Sequence, residues 1–243
     1  MENRRIEAVF FDCWDTLISF TCEQPRWNIL SLEKHCVNHD TIDWKEVFDF
    51  SEDFFRNYYQ SRLLFELDIL AVLSLFQKYF GLELDCSIEE CSHEILCYLS
   101  PKPIEGIDKF LSFLEAKKIP YYVLSNTIYS TEDSMQILKK LIPDHEFGFF
   151  LGSKEVGVKK PNPLFFKTGI RLAKKDITHS MYIGDAFFQD VIGSTDAGFA
   201  TSVWLNHKKK ERRCPEGYAL KRDCLEVSSY SMLIEKIKEN DIL

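Results

Sequence analysis

The sequence contains no apolar run long enough to cross a bilayer. Its longest run in the middle of the chain covers residues 69–73 and stops at Ser74, whereas a membrane-spanning helix needs about 20 apolar residues. The charged first residues lead into a run of strand length, which is too short for a signal peptide and lacks a cleavage site. We therefore expect a cytoplasmic protein without a membrane partner.

The sequence also lacks the CxxC spacing that is typical of zinc and redox sites. Most of its eight cysteines lie in apolar helical patterns, where a reduced thiol packs like a small hydrophobic side chain. We interpret them as free thiols, with metal binding or redox sensing as the alternative. The eight are Cys13, Cys22, Cys36, Cys86, Cys91, Cys97, Cys214 and Cys224.

Positive charge is scarce, and the net charge of -8 argues against nucleic acid as a partner. The one basic run, residues 208–213, has no aromatic residues between its charges, so we interpret it as a solvated loop. We find no internal repeat and no low-complexity segment. The 243 residues, 45% of them hydrophobic, allow a substantial core in one domain or in two modest ones.

A short apolar run near the start, Ala8 to Phe11, leads directly to Asp12. Such a run is typical of a buried parallel strand, whose carboxyl end is where open α/β sheets carry their chemistry. The alternative is ordinary turn chemistry, with Asp12 closing a strand and Thr16 opening a turn. Later segments favour the first interpretation, because each supplies another group that an aspartate nucleophile needs.

Residues 19–100 carry a helical pattern, since apolar side chains recur every three to four residues from Trp27 onward. The aromatic residues of this segment are typical of the core of a small helical bundle, and a pocket-lining role for some of them is the alternative. A Pro-Lys-Pro segment ends the pattern. We predict a helical cap domain over residues 19–100 and an α/β core formed by residues 1–18 and 101–243.

Strands and helices alternate after the cap, which is the pattern of a doubly wound parallel sheet. Two of the strands end in polar residues, at Ser125 and at Asp185, and parallel strands bring such ends to one edge of the sheet. Between them, a loop with two prolines presents Lys160 just ahead of a helix. The predicted strands after the cap cover residues 121–124, 147–151, 181–183 and 201–205.

These segments together predict one pocket. If the strands that end at Asp12, Ser125 and Asp185 are neighbours, the pocket holds a nucleophile, a hydroxyl donor and a carboxylate, with Lys160 supplying a cation. Asp185 and Asp190 have a spacing that can converge on one divalent cation, and oxygen ligands select Mg²⁺. This set suits phosphoryl transfer, because a metal and a lysine offset the negative charge that a carboxylate must approach.

With all four segments in order, the chain resembles the haloacid dehalogenase (HAD) superfamily from about residue 8 to residue 205. Phe11 to Leu17 resembles the first motif, Leu124 to Asn126 the second, Lys160 to Pro163 the third, and Ile183 to Asp185 with Asp190 the fourth. The resemblance implies an α/β fold with a Rossmann-like, doubly wound parallel sheet and a smaller helical cap. It also implies a magnesium-dependent hydrolase that acts on a small phosphorylated metabolite. Independently of the resemblance, we expect a monomer or homodimer.

The resemblance assigns roles to individual residues. It makes Asp12 the nucleophile and Thr16 a hydrogen-bonding residue behind it. The implied site residues are Asp12, Ser125 and Lys160 for catalysis, Asn126 and Thr16 for substrate binding, and Asp12, Trp14, Asp185 and Asp190 for the metal.

One position departs from the family's phosphatases. They place a second aspartate two residues after the nucleophile, as general acid and then base, and Trp14 stands there in this chain. Asp15 does not replace it, because the side chain of the next residue in an extended turn points in another direction. An indole transfers no proton near neutral pH, so a poor leaving group would depart about 10²–10⁴-fold more slowly.

Three hypotheses follow. We favour a phosphohydrolase in which the cap supplies the proton or the leaving group needs none. The second is a haloacid dehalogenase, whose relatives also carry an aromatic residue at the Trp14 position, although they need no metal and this chain keeps Asp185 and Asp190. The third is a binding protein on a HAD scaffold. Candidate proton donors in the cap, each interpreted as a surface residue, are His35, His39, His93, Glu66 and Asp68.

Overall fold

The computed structural model describes residues 5–19, 29–61, 63–98, 100–222 and 224–243. The interpretation of Cys22 as a free thiol, the helical pattern around Trp27 and the helical position of Leu99 therefore lie outside the described residues. The other seven cysteines are free thiols, as expected.

Eight strands form two sheets in the described part of the chain. The larger sheet has six strands, all parallel, in the order β5, β4, β1, β6, β7, β8, and β2 and β3 form a separate antiparallel pair. This parallel order confirms the predicted doubly wound sheet. The strands are β1 (Ala8–Phe11), β2 (Ile18–Ser19), β3 (Lys102–Pro103), β4 (Tyr121–Ser125), β5 (Phe150–Gly152), β6 (Ser180–Gly184), β7 (Thr201–Leu205) and β8 (Leu225–Val227).

Helices cover both faces of the large sheet. Val9 and Phe11 of β1 pack with α5 and α10, whereas Ala8 and Phe10 pack with α8 and α9 on the opposite face. Because both faces are covered, the central strand is apolar throughout, as the sequence shows. The helices are α1 (Leu30–Lys34), α2 (Trp44–Gln60), α3 (Ile69–Phe80), α4 (Ile88–Cys97), α5 (Ile107–Ala116), α6 (Thr131–Leu141), α7 (Ser153–Val156), α8 (Pro163–Ala173), α9 (Gly193–Ala197) and α10 (Tyr230–Glu239).

Helices α1 to α4 build a hydrophobic cluster of their own. Leu32, Phe76 and Ile95 are fully buried in it, and Ile128 and Tyr129 from the loop after β4 pack against it. A helical unit therefore sits on the side of the sheet where β4 ends. The exact limits of the predicted cap and core domains stay predictions.

The structure differs from the predicted strands at three places: one strand begins later than predicted, and neither the β2–β3 pair nor β8 was predicted. The strand predicted over residues 147–151 covers Phe150–Gly152. Gly148 lies before it and packs against the ring of Tyr122, from which an added Cβ would lie 2.4 Å. The three-residue edge strand β8 was not predicted, since a short run between polar loops carries little periodicity. In the described ranges, no helix is both long and apolar enough to span a membrane.

Candidate active site

The carboxyl ends of three neighbouring strands form the site. β1 pairs with β4 on one side and with β6 on the other, in parallel register. The amide of Asp12 donates to the carbonyl of Ile183 at 2.9 Å, which fixes the end of β1 against the end of β6. The expectation that the strands ending at Asp12, Ser125 and Asp185 are neighbours is therefore confirmed.

Lys160 connects the other loops to this edge. Its Nζ donates to Asp12 Oδ1 at 2.6 Å, to Asp190 Oδ1 at 2.7 Å and to the Tyr182 hydroxyl at 2.9 Å, and only 3% of the residue is exposed. The Asn126 side chain accepts from the Lys160 amide at 2.8 Å and donates to its carbonyl at 3.1 Å. Asn126 thus holds the Lys160 backbone in place. Its predicted role in substrate binding stays a prediction.

The charged side chains at this edge of the sheet shift one another's pKa values. Burial raises the pKa of Asp12 to about 7; Lys160 opposes this rise, and the Asp190 and Asp185 charges add to it. Burial lowers the pKa of Lys160, but the Asp12 and Asp190 carboxylates outweigh it and raise that pKa above its usual value. Burial, followed by the Asp190 charge, also raises the pKa of Asp185. The lysine is charged, and the ionised carboxylates attract a further cation.

Three buried carboxylates form a candidate binding site for such a cation. Oxygen atoms of Asp12, Asp185 and Asp190 all lie within 4.8 Å of one another, and all three residues are buried. Gly184 leaves the space that Asp190 occupies, because an added Cβ would lie 2.3 Å from the Asp190 Cγ. Hard carboxylate oxygens in this number fit Mg²⁺. Trp14 could contribute only its main chain, since an indole is not a metal ligand, and its predicted place in the set stays a prediction.

Tyr182 belongs to the site although no sequence pattern singles it out. Its hydroxyl accepts from Lys160 and donates to the carbonyl of Leu124 at 3.0 Å. Burial raises its pKa well above the usual value, so it stays a neutral hydrogen-bonding group. A tyrosine inside a strand is typical of the core, and only the pairing of β6 with β1 brings it to Lys160.

The basic run 208–213 is an exposed loop, as expected, and two of its lysines also contact the site. Lys210 Nζ lies 2.5 Å from Asp185 Oδ2, and Lys208 Nζ lies 2.6 Å from Asp15 Oδ2. The loop follows β7, whose parallel pairing with β6 delivers it to the acidic edge of the sheet. Its lysines therefore offset part of the negative charge of the site.

A model of the haloacid dehalogenase-like hydrolases matches residues 6–198. The chain belongs to this family of hydrolases. Glyceraldehyde 3-phosphate phosphatase of Pyrococcus furiosus is 27% identical over 213 residues, which cover 85% of this chain and 83% of that protein.

Solved structures of the family share the whole fold. An HAD phosphatase from Thermococcus onnurineus aligns with a TM-score of 0.62 at 21% identity, covering 98% of this chain and 100% of that one. A 2-haloacid dehalogenase from Pseudomonas syringae pv. Tomato aligns with a TM-score of 0.63 at 20% identity, covering 96% and 99%. The fold class is confirmed, and since a phosphatase and a dehalogenase share it, the fold does not choose between those reactions.

Two of the residues expected from the HAD motifs, Thr16 and Ser125, make no hydrogen bond to Asp12 or Lys160 in the described part of the chain. Thr16 is fully buried, and its hydroxyl has no hydrogen-bond partner among the described residues, so the expected hydrogen bond behind Asp12 is not formed. The Thr16 carbonyl instead accepts from Tyr230 at 2.9 Å. The Ser125 hydroxyl is buried at the end of β4, and its recorded contact is a long one, 3.5 Å to the carbonyl of Asn126.

A cavity of about 490 Å³ separates the helical unit of this HAD hydrolase from the sheet edge. Glu66 was expected to be a surface residue, but it is half-buried on the cavity wall. Its carboxylate accepts hydrogen bonds from Tyr58 and, at 2.5 Å, from Ser153. Periodicity alone could not reveal this, since Glu66 follows a helix in a segment without a pattern. The lining includes Trp14, Tyr58, Glu66, Asn126, Lys159 and Lys160.

The other candidate proton donors lie elsewhere. His35 contacts Asp85 at 2.7 Å, and His93 contacts Asp133 at 3.1 Å. Asp68 caps the start of α3 through the Leu70 amide. None of these, nor His39, is among the described residues that line the cavity.

Proposed function

We propose that this chain is a magnesium-dependent phosphohydrolase, which transfers the phosphoryl group of a small phosphorylated metabolite to Asp12 and then to water. The proposal depends on the position of the Asp12 carboxylate. It is buried between the Lys160 ammonium and the Asp185 and Asp190 carboxylates. A nucleophile for phosphorus needs positive charge beside it, and the lysine supplies one such charge.

The residues have distinct tasks in this mechanism. Asp12 Oδ2, the oxygen not bonded to Lys160, attacks phosphorus, while Lys160 binds a phosphoryl oxygen and keeps the nucleophile in line. Asn126 and Tyr182 hold the lysine at its two ends. Asp12, Asp185 and Asp190 would hold Mg²⁺, which neutralises phosphoryl charge when it is bound.

The named relative supports the substrate class. The protein from Pyrococcus furiosus is a phosphatase that acts on glyceraldehyde 3-phosphate, a small phosphorylated compound, and it matches this chain over most of its length. We infer a small phosphorylated substrate here too. The cytoplasmic location and the monomeric or homodimeric state stay predictions.

A haloacid dehalogenase is the second candidate. Trp14 favours it, because an aromatic residue lines the cavity where a phosphatase of this superfamily carries its general acid, and a departing halide needs no proton. The cluster of three buried carboxylates disfavours it, since Asp185 and Asp190 beside Asp12 would repel a haloacid carboxylate. A binding protein with vestigial turnover remains the third candidate.

Parallel assays test the proposal. Purified protein is given acetyl phosphate, p-nitrophenyl phosphate or 2-chloropropionate, with Mg²⁺ or with chelator. We expect phosphate release that needs Mg²⁺, is lost in Asp12→Asn and is kept in the surface control Asp144→Asn. Halide release that is indifferent to chelator would make the protein a dehalogenase, and no release in any assay would favour the binding protein.

A further inference from the structure

The cavity is lined by Lys160, whose ammonium group contacts Asp12, and part of its wall is apolar. Tyr59, Leu63 and Phe188 line it with 63%, 55% and 37% of their surfaces exposed, and Trp14 joins them. A volume of about 490 Å³ holds an organic group in addition to a phosphoryl group. A polyhydroxylated leaving group would lose hydrogen bonds to water against these side chains, whereas an aromatic or aliphatic one would not.

One cation reaches into this cavity from the same loop as Lys160. Lys159 Nζ donates to the Tyr58 hydroxyl at 2.6 Å and lies 3.9 Å from the centre of that ring. An ammonium group has three N–H donors, and this contact uses one of them. The remaining donors can bind a negative oxygen that develops in the cavity.

Both carboxylate oxygens of Glu66 are bound by other side chains at the cavity wall. One of its carboxylate oxygens accepts from Tyr58, and the other accepts from Ser153 at 2.5 Å. With Trp14 at the position of the usual acid, the described cavity lining offers the Lys159 ammonium group, whose pKa is lowered by burial and raised by the Glu66 charge. The carboxylates of the lining are bound elsewhere, Glu66 to Tyr58 and Ser153, and Asp15 to Lys208. The site stabilises a departing anion better than it protonates one.

From these features, we propose that the natural substrate carries a resonance-stabilised oxyanion on an apolar body as its leaving group: an aryl phosphate, or an acyl phosphate of an apolar acid. Lys159 is then the residue that binds the departing oxygen. This inference rests on the proposed phosphohydrolase activity and specifies its substrate class.

The step balances without a general acid. Asp12 forms a bond to phosphorus as the bond from phosphorus to the leaving oxygen breaks, and the electron pair stays on that oxygen as a phenoxide or a carboxylate. Water then attacks the phosphorus of the aspartyl phosphate and frees Asp12. Both hydrogens of the water end on phosphate, one in the new P–OH group and one transferred to another phosphate oxygen, so a dianionic ester and water yield one organic anion and dihydrogen phosphate.

A leaving-group series tests the substrate class. We would measure kcat/KM for p-nitrophenyl, phenyl and benzyl phosphate, for benzoyl and acetyl phosphate, and for glycerol 3-phosphate. We expect p-nitrophenyl and benzoyl phosphate to exceed benzyl and glycerol phosphate by about 10²–10⁴-fold, the usual contribution of a general acid. Benzoyl phosphate should exceed acetyl phosphate if the apolar wall binds the leaving group. A higher value for benzoyl than for p-nitrophenyl phosphate would indicate an acyl substrate, and the reverse an aryl one.

Two variants separate this inference from the proposed function. Lys159→Met should lower kcat/KM for p-nitrophenyl and benzoyl phosphate by about tenfold or more, while Lys167→Met, an exposed lysine on α8, should change nothing. Trp14→Asp should raise the rate with benzyl phosphate far more than the rate with p-nitrophenyl phosphate.

The two kinds of failure are distinguishable. The phosphohydrolase proposal is wrong if no compound gives phosphate release that depends on Asp12. The substrate class is wrong if phosphate release depends on Asp12 but glycerol phosphate is cleaved as fast as the aryl and acyl phosphates. Unchanged kinetics in Lys159→Met would remove Lys159 from the site.

Discussion

At the scale of single residues, the burial of Asp12 opposes its ionisation. Its pKa is raised from 3.8 to about 7, first by burial. Because the folded value is above the unfolded one, this group's contribution to stability is fully present below about pH 4 and is lost as the pH rises through 7. In the absence of a metal, Asp12 therefore weakens the fold at the pH where it is ionised.

This gives a prediction for Asp12→Asn in the presence of chelator. Asparagine does not titrate, so the melting temperature of the variant minus that of the wild type should become more positive between about pH 5 and about pH 8. Thermal unfolding followed by circular dichroism measures the difference. The surface variant Asp144→Asn should show no such trend, and a flat difference for Asp12→Asn would refute the raised pKa.

Lys210 gives a second prediction, for metal affinity. Its ammonium lies 2.5 Å from Asp185, and its side chain is 44% exposed, so it competes with a divalent cation through a screened charge. Lys210→Met should tighten Mg²⁺ binding by about two- to fivefold, the range of a partly exposed ion pair. Calorimetric titration with Mg²⁺ measures this, with the neighbouring exposed Lys209→Met as control. Equal or weaker binding in Lys210→Met would show that the lysine does not oppose the metal.

The role of a single residue was predictable where its type and its position in the sequence pattern together point to one function. Asp12 and Lys160 stand at a strand end and in a proline-bound loop, and the structure brings them together. Tyr182 and Lys159 were not predictable, because a strand tyrosine and a loop lysine have many uses in sequence. Their tasks come from contacts with residues 22 and 101 positions away.

At the scale of elements, the junction after β6 sets the carboxylate geometry. The chain passes from β6 into a π-helix, Phe187–Ile192, whose Asp190 accepts from Ala186 at 2.9 Å and from Lys160. Gly184 permits this close approach, as only a hydrogen fits beside the carboxylate.

Gly184→Ala should therefore displace Asp190 and lower phosphatase activity by about 10²-fold, the cost of a misplacement of roughly 1 Å. Gly148→Ala is the matched control, since its Cβ would lie 2.4 Å from the ring of Tyr122 in β4 and not from a carboxylate of the site. It should lower the melting temperature but keep the activity of each folded molecule. Equal activity loss in both variants would mean that Gly184 matters only for folding.

A second element-scale feature links the helical unit to Lys160. The amide of Glu66 donates to Gly157 at 3.1 Å, and the amide of Lys159 donates to Leu64 at 3.0 Å. This short antiparallel contact joins the chain after α2 to the loop that carries both lysines. The strand and helix patterns predicted those elements, but they carry no signal for a contact between two irregular segments.

At the scale of the molecule, the helical unit and the sheet have separate hydrophobic clusters, and the cavity lies between them. Sequence periodicity predicts each part, because each buries its own apolar residues. It does not predict the cavity wall, which depends on how the two parts meet. Trp14 lies at that meeting point and packs partly against both clusters.

The central claim is that Asp12 carries the phosphoryl group during turnover. The most direct measurement is rapid acid quenching of the protein with acetyl phosphate and Mg²⁺, followed by mass analysis of the peptide that contains Asp12. We predict a phosphoryl group on Asp12 that is absent with chelator and in Asp12→Asn. Phosphate release at the wild-type rate by Asp12→Asn, or turnover without any phosphorylated peptide, would contradict the account.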